Sequence, residues 1–228
     1  MSFLESNLAR SATRERSLFQ QVYAWMSVGL AVTGFAAYGA YVTGWVQALL
    51  PFMLVLVLAE LGVVLGLSFG ISRMSATVAT AAFVGYALLN GLTLSVIFLV
   101  YTQSSIASTF FITAATFGCM SMYGYTTQRD LTSLRSFLFM GLIGLIVASL
   151  VNLFLQNELI YWILSYAGVA IFMGLTAYDT QKIKELSRVM GDQDSESFQK
   201  VAIMGALRLY LDFVNLFLYL LRLFGKRR

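Results

Sequence analysis

Long apolar runs, each interrupted by only a few polar residues, fill most of the chain. Seven can be drawn, at 22–44, 48–70, 77–101, 106–125, 136–155, 159–179 and 203–224. Each is close to the ~20 residues that a helix needs to cross a bilayer core. None shows the short alternating segments of a transmembrane barrel. The pattern predicts an all-α membrane protein, a bundle of seven transmembrane helices. Residues 1–21 form an N-terminal segment, and 22–228 form a single transmembrane domain with loops too short to hold a soluble one. The first run is too long for a signal-peptide core, so no cleaved leader is expected. Pro51 opens the second run, where a helix tolerates it. Gly62, Gly66 and Gly70 recur every four residues there and predict a face for close helix contact. No internal repeat of the two-halves transporter kind is visible.

Composition agrees with this reading. The chain is 59% hydrophobic and 11% charged, with mean hydropathy +0.78. A soluble domain of 228 residues could not hide that much apolar surface. The chain has no histidine and one cysteine, Cys119. No Cys/His metal site, disulfide or cofactor is therefore expected, and Cys119 reads as a small core residue.

The net charge of +4 reports topology, not nucleic-acid binding. Arg10, Arg14, Arg16, Arg73, Arg129, Arg135, Lys182, Lys184, Arg188 and Lys200 fall on one side of the seven-span arrangement. The opposite loops, near 45–48, 102–105 and 156–158, carry no Lys or Arg. The basic side is expected to face the cytoplasm, which places the N-terminus inside. Seven crossings then leave Arg222, Lys226, Arg227 and Arg228 outside, against the same tendency. Either the upstream bias overrides the tail, or the last run does not cross fully. Seven full crossings is the preferred reading.

Ionisable residues inside spans are costly and mark candidate functional sites. Here they are Glu60 in the second span, Asp179 closing the sixth, and Arg208 and Asp212 in the seventh, accompanied by Asn90, Asn152 and Asn215. Arg208, Asp212, Asn215 and Tyr219 are spaced by four, three and four, so they share one helical face. A polar stripe on an apolar helix is expected to point inward. Asp179 and Asp212 lie symmetrically about 195.5, in the polar segment GDQDSESFQ at 191–199. A symmetric hairpin would set the two carboxylates at matching depth. Two such groups in a low dielectric tend to share a proton, and together they offer oxygens to a hard cation. The structural alternative pairs Asp212 with Arg208 and Asp179 with Lys182. Arg73 is either a snorkelling interface residue or a partner for Asp179. Asp192, Asp194 and Glu196 alternate like the start of a calcium loop, but Ser197 and Ile203 stand where that motif needs Gly and Glu, so a solvated acidic loop is expected.

Four stretches, FMGLTAYDTQKIKEL (172–186), LYLDFVNLFLYLLRLFG (209–225), LNGLTLSVIF (89–98) and YGYTTQRDLTSL (123–134), closely resemble the Bax inhibitor family, also called the transmembrane Bax inhibitor motif family, in its bacterial branch. The resemblance implies a bundle with the last helix near its centre, in the cell inner membrane. It implies a pH-sensitive calcium leak, with Asp179 and Asp212 as paired sensor and gate that bind calcium transiently. Arg73 then matches an arginine that engages the first aspartate, and Glu60 matches an acidic position of the second span. Arg208 and Asn215 are supporting polar residues. Calcium is cargo rather than cofactor.

Two other readings compete with the channel. Bacterial members also resemble regulators of a membrane-bound ATP-dependent protease. That makes a non-conducting modulator the alternative, with the charged N-terminal segment as its handle. An intramembrane aspartyl protease would need the second aspartate in a Gly-x-Gly-Asp context. Here it stands in LYLD, so no enzyme is expected.

Overall fold

The computed structural model describes residues 3–189 and 195–228, with side chains from Thr13 to Arg188 and again from Ser195. Nine α-helices follow one another among the described residues. They are α1 (Phe3–Val42), α2 (Trp45–Leu49), α3 (Met53–Gly70), α4 (Ala76–Leu94), α5 (Ile97–Val100), α6 (Gln103–Thr126), α7 (Thr132–Leu155), α8 (Glu158–Val189) and α9 (Ser195–Phe224). The protein is all-α, and seven stretches are long and apolar enough to cross a membrane: Thr13–Val42, Trp45–Arg73, Ala76–Val100, Gln103–Thr126, Thr132–Leu155, Glu158–Arg188 and Ser195–Phe224. All seven expected spans are present. Several reach further than their apolar runs, because a helix keeps its hydrogen bonds past the hydrocarbon edge when the flanking residues favour helix.

Backbone groups in lipid have no water to bond, so each span must satisfy its own. Hydroxyls embedded in the spans follow the same rule. Thr113 donates to the carbonyl of Thr109, Thr176 to Phe172, Thr180 to Thr176 and Ser165 to Tyr161, each at 2.7 Å. Breaks between elements fall where chemistry permits. Gly44 takes a left-handed φ of 77° between α1 and α2, which costs glycine little. Pro51 sits in a short 3-10 turn before α3. Ser75 caps α4, its Oγ accepting from the Val78 amide at 3.3 Å.

The helices group into two compact units. One takes the chain as far as Val100 together with 184–210, and the other takes 101–183 and 211–228. In the first unit α1 packs on α4. A Cβ at Gly91 would lie 2.6 Å from both the Thr33 carbonyl oxygen and the Ala36 Cβ, so only glycine lets these backbones approach so closely. At one end of this unit Arg188 Nε lies 3.4 Å from Glu15 Oε2. Glu196, in the first turn of α9, accepts from the Ala76 amide at 3.3 Å and pairs with Lys200 at 3.1 Å. Glu196 is thus exposed, as expected, but stands in the first turn of a helix rather than in a loop, where a carboxylate is stabilising. Asp192 and Asp194 lie outside the described residues.

In the second unit Gly124 of α6 presses on the Ala177 carbonyl of α8. Leu131, Leu138, Ala177 and Tyr178 form a buried cluster, flanked by Met120 and Leu175. Two of the motifs quoted above, YGYTTQRDLTSL and FMGLTAYDTQKIKEL, thus meet in one core. At the other end of this unit the chain's last residues dock on its loops. The Thr102 amide donates to the Lys226 carbonyl at 3.0 Å, and the Lys226 amide donates to Ser105 Oγ at 2.9 Å. Residues 225–228 therefore lie at the end of this unit that holds 101–105.

Two packing expectations are corrected. Gly62 and Gly66 on α3 face open space, because the apolar window of that span buries none of its residues against the rest of the chain. Cys119 is exposed on α6; its position turns outward from the helix face that carries Phe117 and Ser121 into the core.

Candidate functional site

The last span is the most buried of the seven. Two-thirds of its window (67%) is buried, against 33% or less in every other span. Its less buried positions, Met204, Arg208, Leu211, Asn215, Leu218 and Arg222, recur every three or four residues and so form a single stripe. The polar face expected to point inward is therefore divided. Arg208 is exposed, Asn215 and Tyr219 are half-buried, and Asp212 is buried with 4% of its surface accessible. Asn215 donates to the Leu211 carbonyl of its own helix at 2.8 Å. Asp212 follows Leu211 by one residue, so it stands at the buried edge of the stripe.

Asp179 is half-buried on α8 and belongs with Asp212 and Asn215 to the second unit. It does not close its helix. α8 continues ten residues further, to Val189, whereas α9 begins at Ser195, seventeen residues before Asp212. The Glu196–Lys200 pair, four residues apart, supports the first turn of α9.

Immediately after Asp179, Gln181 clamps the connection between α6 and α7. Its Oε1 accepts from the Leu131 amide at 2.8 Å, and its Nε2 donates to the Arg129 carbonyl at 2.8 Å. Thr180 donates to Ser121 Oγ at 3.4 Å. The α8 segment bearing Asp179 is thereby tied to α6 and to the loop beyond it. Sequence reasoning missed Gln181; its one signal was its place beside the aspartate in the AYDTQ motif.

Glu60, Arg73 and Arg208 belong to the first unit. Arg73 is exposed at the end of a 3-10 turn after α3. Glu60 is half-buried and holds α3 to α4. Its Oε1 accepts from Thr93 Oγ1 at 2.7 Å, and its Oε2 accepts from Asn90 Nδ2 at 3.2 Å. Asn90 Oδ1 in turn accepts from the Tyr210 hydroxyl of α9 at 3.0 Å. That hydroxyl lies 2.6 Å from Thr33 Oγ1 of α1, which reaches the Ala87 carbonyl at 2.9 Å. One polar chain therefore joins α1, α3, α4 and α9. Thr33, Thr93 and Tyr210 were not anticipated as its members, since nothing in their spacing separates them from the other hydroxyls of the spans. Tyr210 is seated edge-on against Phe83 and Tyr86, at centroid distances of 5.8 and 5.7 Å.

Among the described residues no group of three or more Asp, Glu, Cys or His side chains could hold a metal ion.

A family model described as "Inhibitor of apoptosis-promoting Bax1" matches residues 15–228. The chain is 52% identical over 212 residues to the inner membrane protein YbhL of Escherichia coli, covering 91% of each chain. It is 45% identical over 213 residues to a protein of Borreliella burgdorferi, again covering 91% of each. It is 47% identical over 216 residues to a protein of Rickettsia prowazekii, covering 93% of this chain and 91% of the relative.

Proposed function

The chain belongs to the Bax inhibitor family, and on that premise we propose that it is a pH-sensitive calcium leak channel whose sensor and gate is the pair Asp179 and Asp212. The observation that carries the reading is the burial of Asp212 on the most buried span. An ionised carboxylate is costly at membrane depth unless protonation, a partner or water compensates it. A side chain placed so will change its interactions when it gains a proton. Asp179 shares the unit with it, half-buried, on a helix segment held rigid by Gln181 and Thr180. On the same helix Asn215 adds a half-buried polar side chain three residues beyond Asp212. Deprotonated, the carboxylates attract calcium through oxygen ligands; protonated, they lose that attraction and pack differently. The protein spans the inner membrane with its N-terminus in the cytoplasm, so that Arg14, Arg16, Arg73, Arg129, Arg135 and Arg188 lie on the cytoplasmic side.

Calcium entry into dye-loaded proteoliposomes across a pH series tests the reading. Wild type should leak in a pH-dependent way, and Asp212→Asn and Asp179→Asn should each flatten that dependence. An unchanged pH response in Asp212→Asn refutes the sensor. No flux above empty liposomes at any pH refutes the channel and leaves a non-conducting modulator of a membrane-bound ATP-dependent protease.

A further inference from the structure

We infer that the basic segment 222–228 is a headgroup site for anionic phospholipid, built into the end of the second unit where the chain's last residues dock. Four cations, Arg222, Lys226, Arg227 and Arg228, gather there. The loops at 101–105 and 156–158 supply one acid, Glu158, so positive charge is in surplus. The segment is ordered by its backbone rather than by its charges. Lys226 is held at both its amide and its carbonyl, and Arg227 forms an isolated β-bridge with Tyr101. Gly225 is required for that docking, since a Cβ there would press on the Leu221 carbonyl and the Tyr101 ring.

The arginines rest on aromatic faces. Arg227 donates to the Tyr161 hydroxyl at 3.1 Å and lies 5.6 Å from the centre of that ring. Arg222 lies 5.1 Å from the Tyr219 ring and 5.8 Å from that of Tyr161. Cation–π contact positions a guanidinium without neutralising it. Exposed apolar side chains accompany these cations in the chain, Phe224 at 61% between Arg222 and Lys226, and Leu159 at 69% and Trp162 at 39% on either side of Tyr161. Tyrosine and tryptophan concentrate at the depth of lipid headgroups. Ordered cations near exposed apolar side chains match a phosphodiester with its chains attached better than a soluble anion or an acidic protein, because both halves of the lipid find a partner. The same docking explains how a basic tail stays on a side that otherwise lacks Lys and Arg: backbone hydrogen bonds and lipid phosphates hold it there.

Trp162 is the reporter for the test. In a Trp25→Phe, Trp45→Phe background it is the only tryptophan of the three. The full chain is reconstituted with brominated phosphatidylglycerol or brominated phosphatidylcholine, and quenching of Trp162 is titrated. The wild-type tail should favour the anionic lipid by about fivefold or more, the effect of one cation near an anionic surface. Lys226→Gln with Arg228→Gln keeps the Tyr161 anchor and the backbone docking, and should cut the preference by about fivefold or more while Arg222 and Arg227 sustain a remainder. A second variant, Arg129→Gln with Arg135→Gln, changes charges near the opposite end of the unit and should leave it intact. Equal quenching by both lipids in wild type overturns the inference, as does a preference undiminished by loss of Lys226 and Arg228. Loss of the preference on adding millimolar inorganic phosphate also overturns it, because the site would then be one for a soluble anion.

Discussion

The Tyr210 hydroxyl offers a test of how the polar chain in the first unit is wired. Three contacts run through two hydroxyl groups: Thr33 to the Ala87 carbonyl at 2.9 Å, Thr33 to Tyr210 at 2.6 Å, and Tyr210 to Asn90 at 3.0 Å. Two hydroxyls carry two protons, so only two of the three contacts can be hydrogen bonds at one time. Tyr210→Phe leaves Thr33 donating to Ala87, and Thr33→Val leaves Tyr210 donating to Asn90. Each single change therefore removes one bond, and the double change removes both. Interhelical hydrogen bonds in membrane proteins average about 0.6 kcal/mol and reach about 1.7 kcal/mol. Each single variant should thus lose about 1 kcal/mol, and the double variant about 2 kcal/mol. The two effects should add, although the atoms are in contact. Had all three contacts been simultaneous bonds, each single change would remove two and the double change three. The cycle would then show a coupling of about one bond, ~0.6–1.7 kcal/mol. The assay is reversible unfolding in mixed bicelles and detergent, followed by circular dichroism. Tyr210→Phe keeps the ring contacts with Phe83 and Tyr86, so aromatic packing does not confound it. A single-variant loss below about 0.3 kcal/mol, or a coupling near one full bond, refutes the proton accounting.

Three further outcomes follow from the packing. Gly124→Val should destabilise the second unit by about 2 kcal/mol or more, because its side chain meets the Ala177 backbone and overpacking forces the helices apart; Gly66→Ala, facing open space, should be neutral or stabilise by up to ~1 kcal/mol through helix propensity, and thermal melting compares the two. Gln181→Leu should leave the Leu131 amide without its acceptor, at a cost of about 1–3 kcal/mol, and hydrogen exchange at Leu131 should accelerate while that in α9 does not. The hydrogen bond from Thr132 to the exposed Asp130 carboxylate holds that group below its usual value. The folded form is therefore favoured above the ordinary carboxylate pKa of about 4, and that contribution disappears as pH falls through the folded value; carbon-detected NMR titration of Asp130 should show the lowered midpoint, and Thr132→Pro, which removes the donor amide, should return it.

What the chain's residue order determines by itself is the number of crossings and the class of fold. Lipid solvation acts segment by segment, so a run of about twenty apolar residues announces itself without reference to any other. The same locality made Glu60, Asp179 and Asp212 visible, since a carboxylate in such a run is conspicuous wherever its partners are. Helix ends were less legible. α8 runs ten residues past Asp179, because leaving the hydrocarbon does not end a helix whose next residues favour one.

Which polar groups meet was decided by packing alone. Asn90 and Thr93 stand 30 and 33 residues from Glu60, and Tyr210 stands 120 from Asn90. Their meeting depends on how each helix is rotated about its axis. That rotation is set by close approaches such as Gly91 against Thr33, a property of pairs of helices that periodicity along one helix does not contain. The basic tail shows the same division. Its charges were plain in the sequence and argued for one side of the membrane. The hydrogen bonds of Lys226 with Thr102 and Ser105 fix it instead against residues more than a hundred positions away, a pairing that no count of charges along the chain contains.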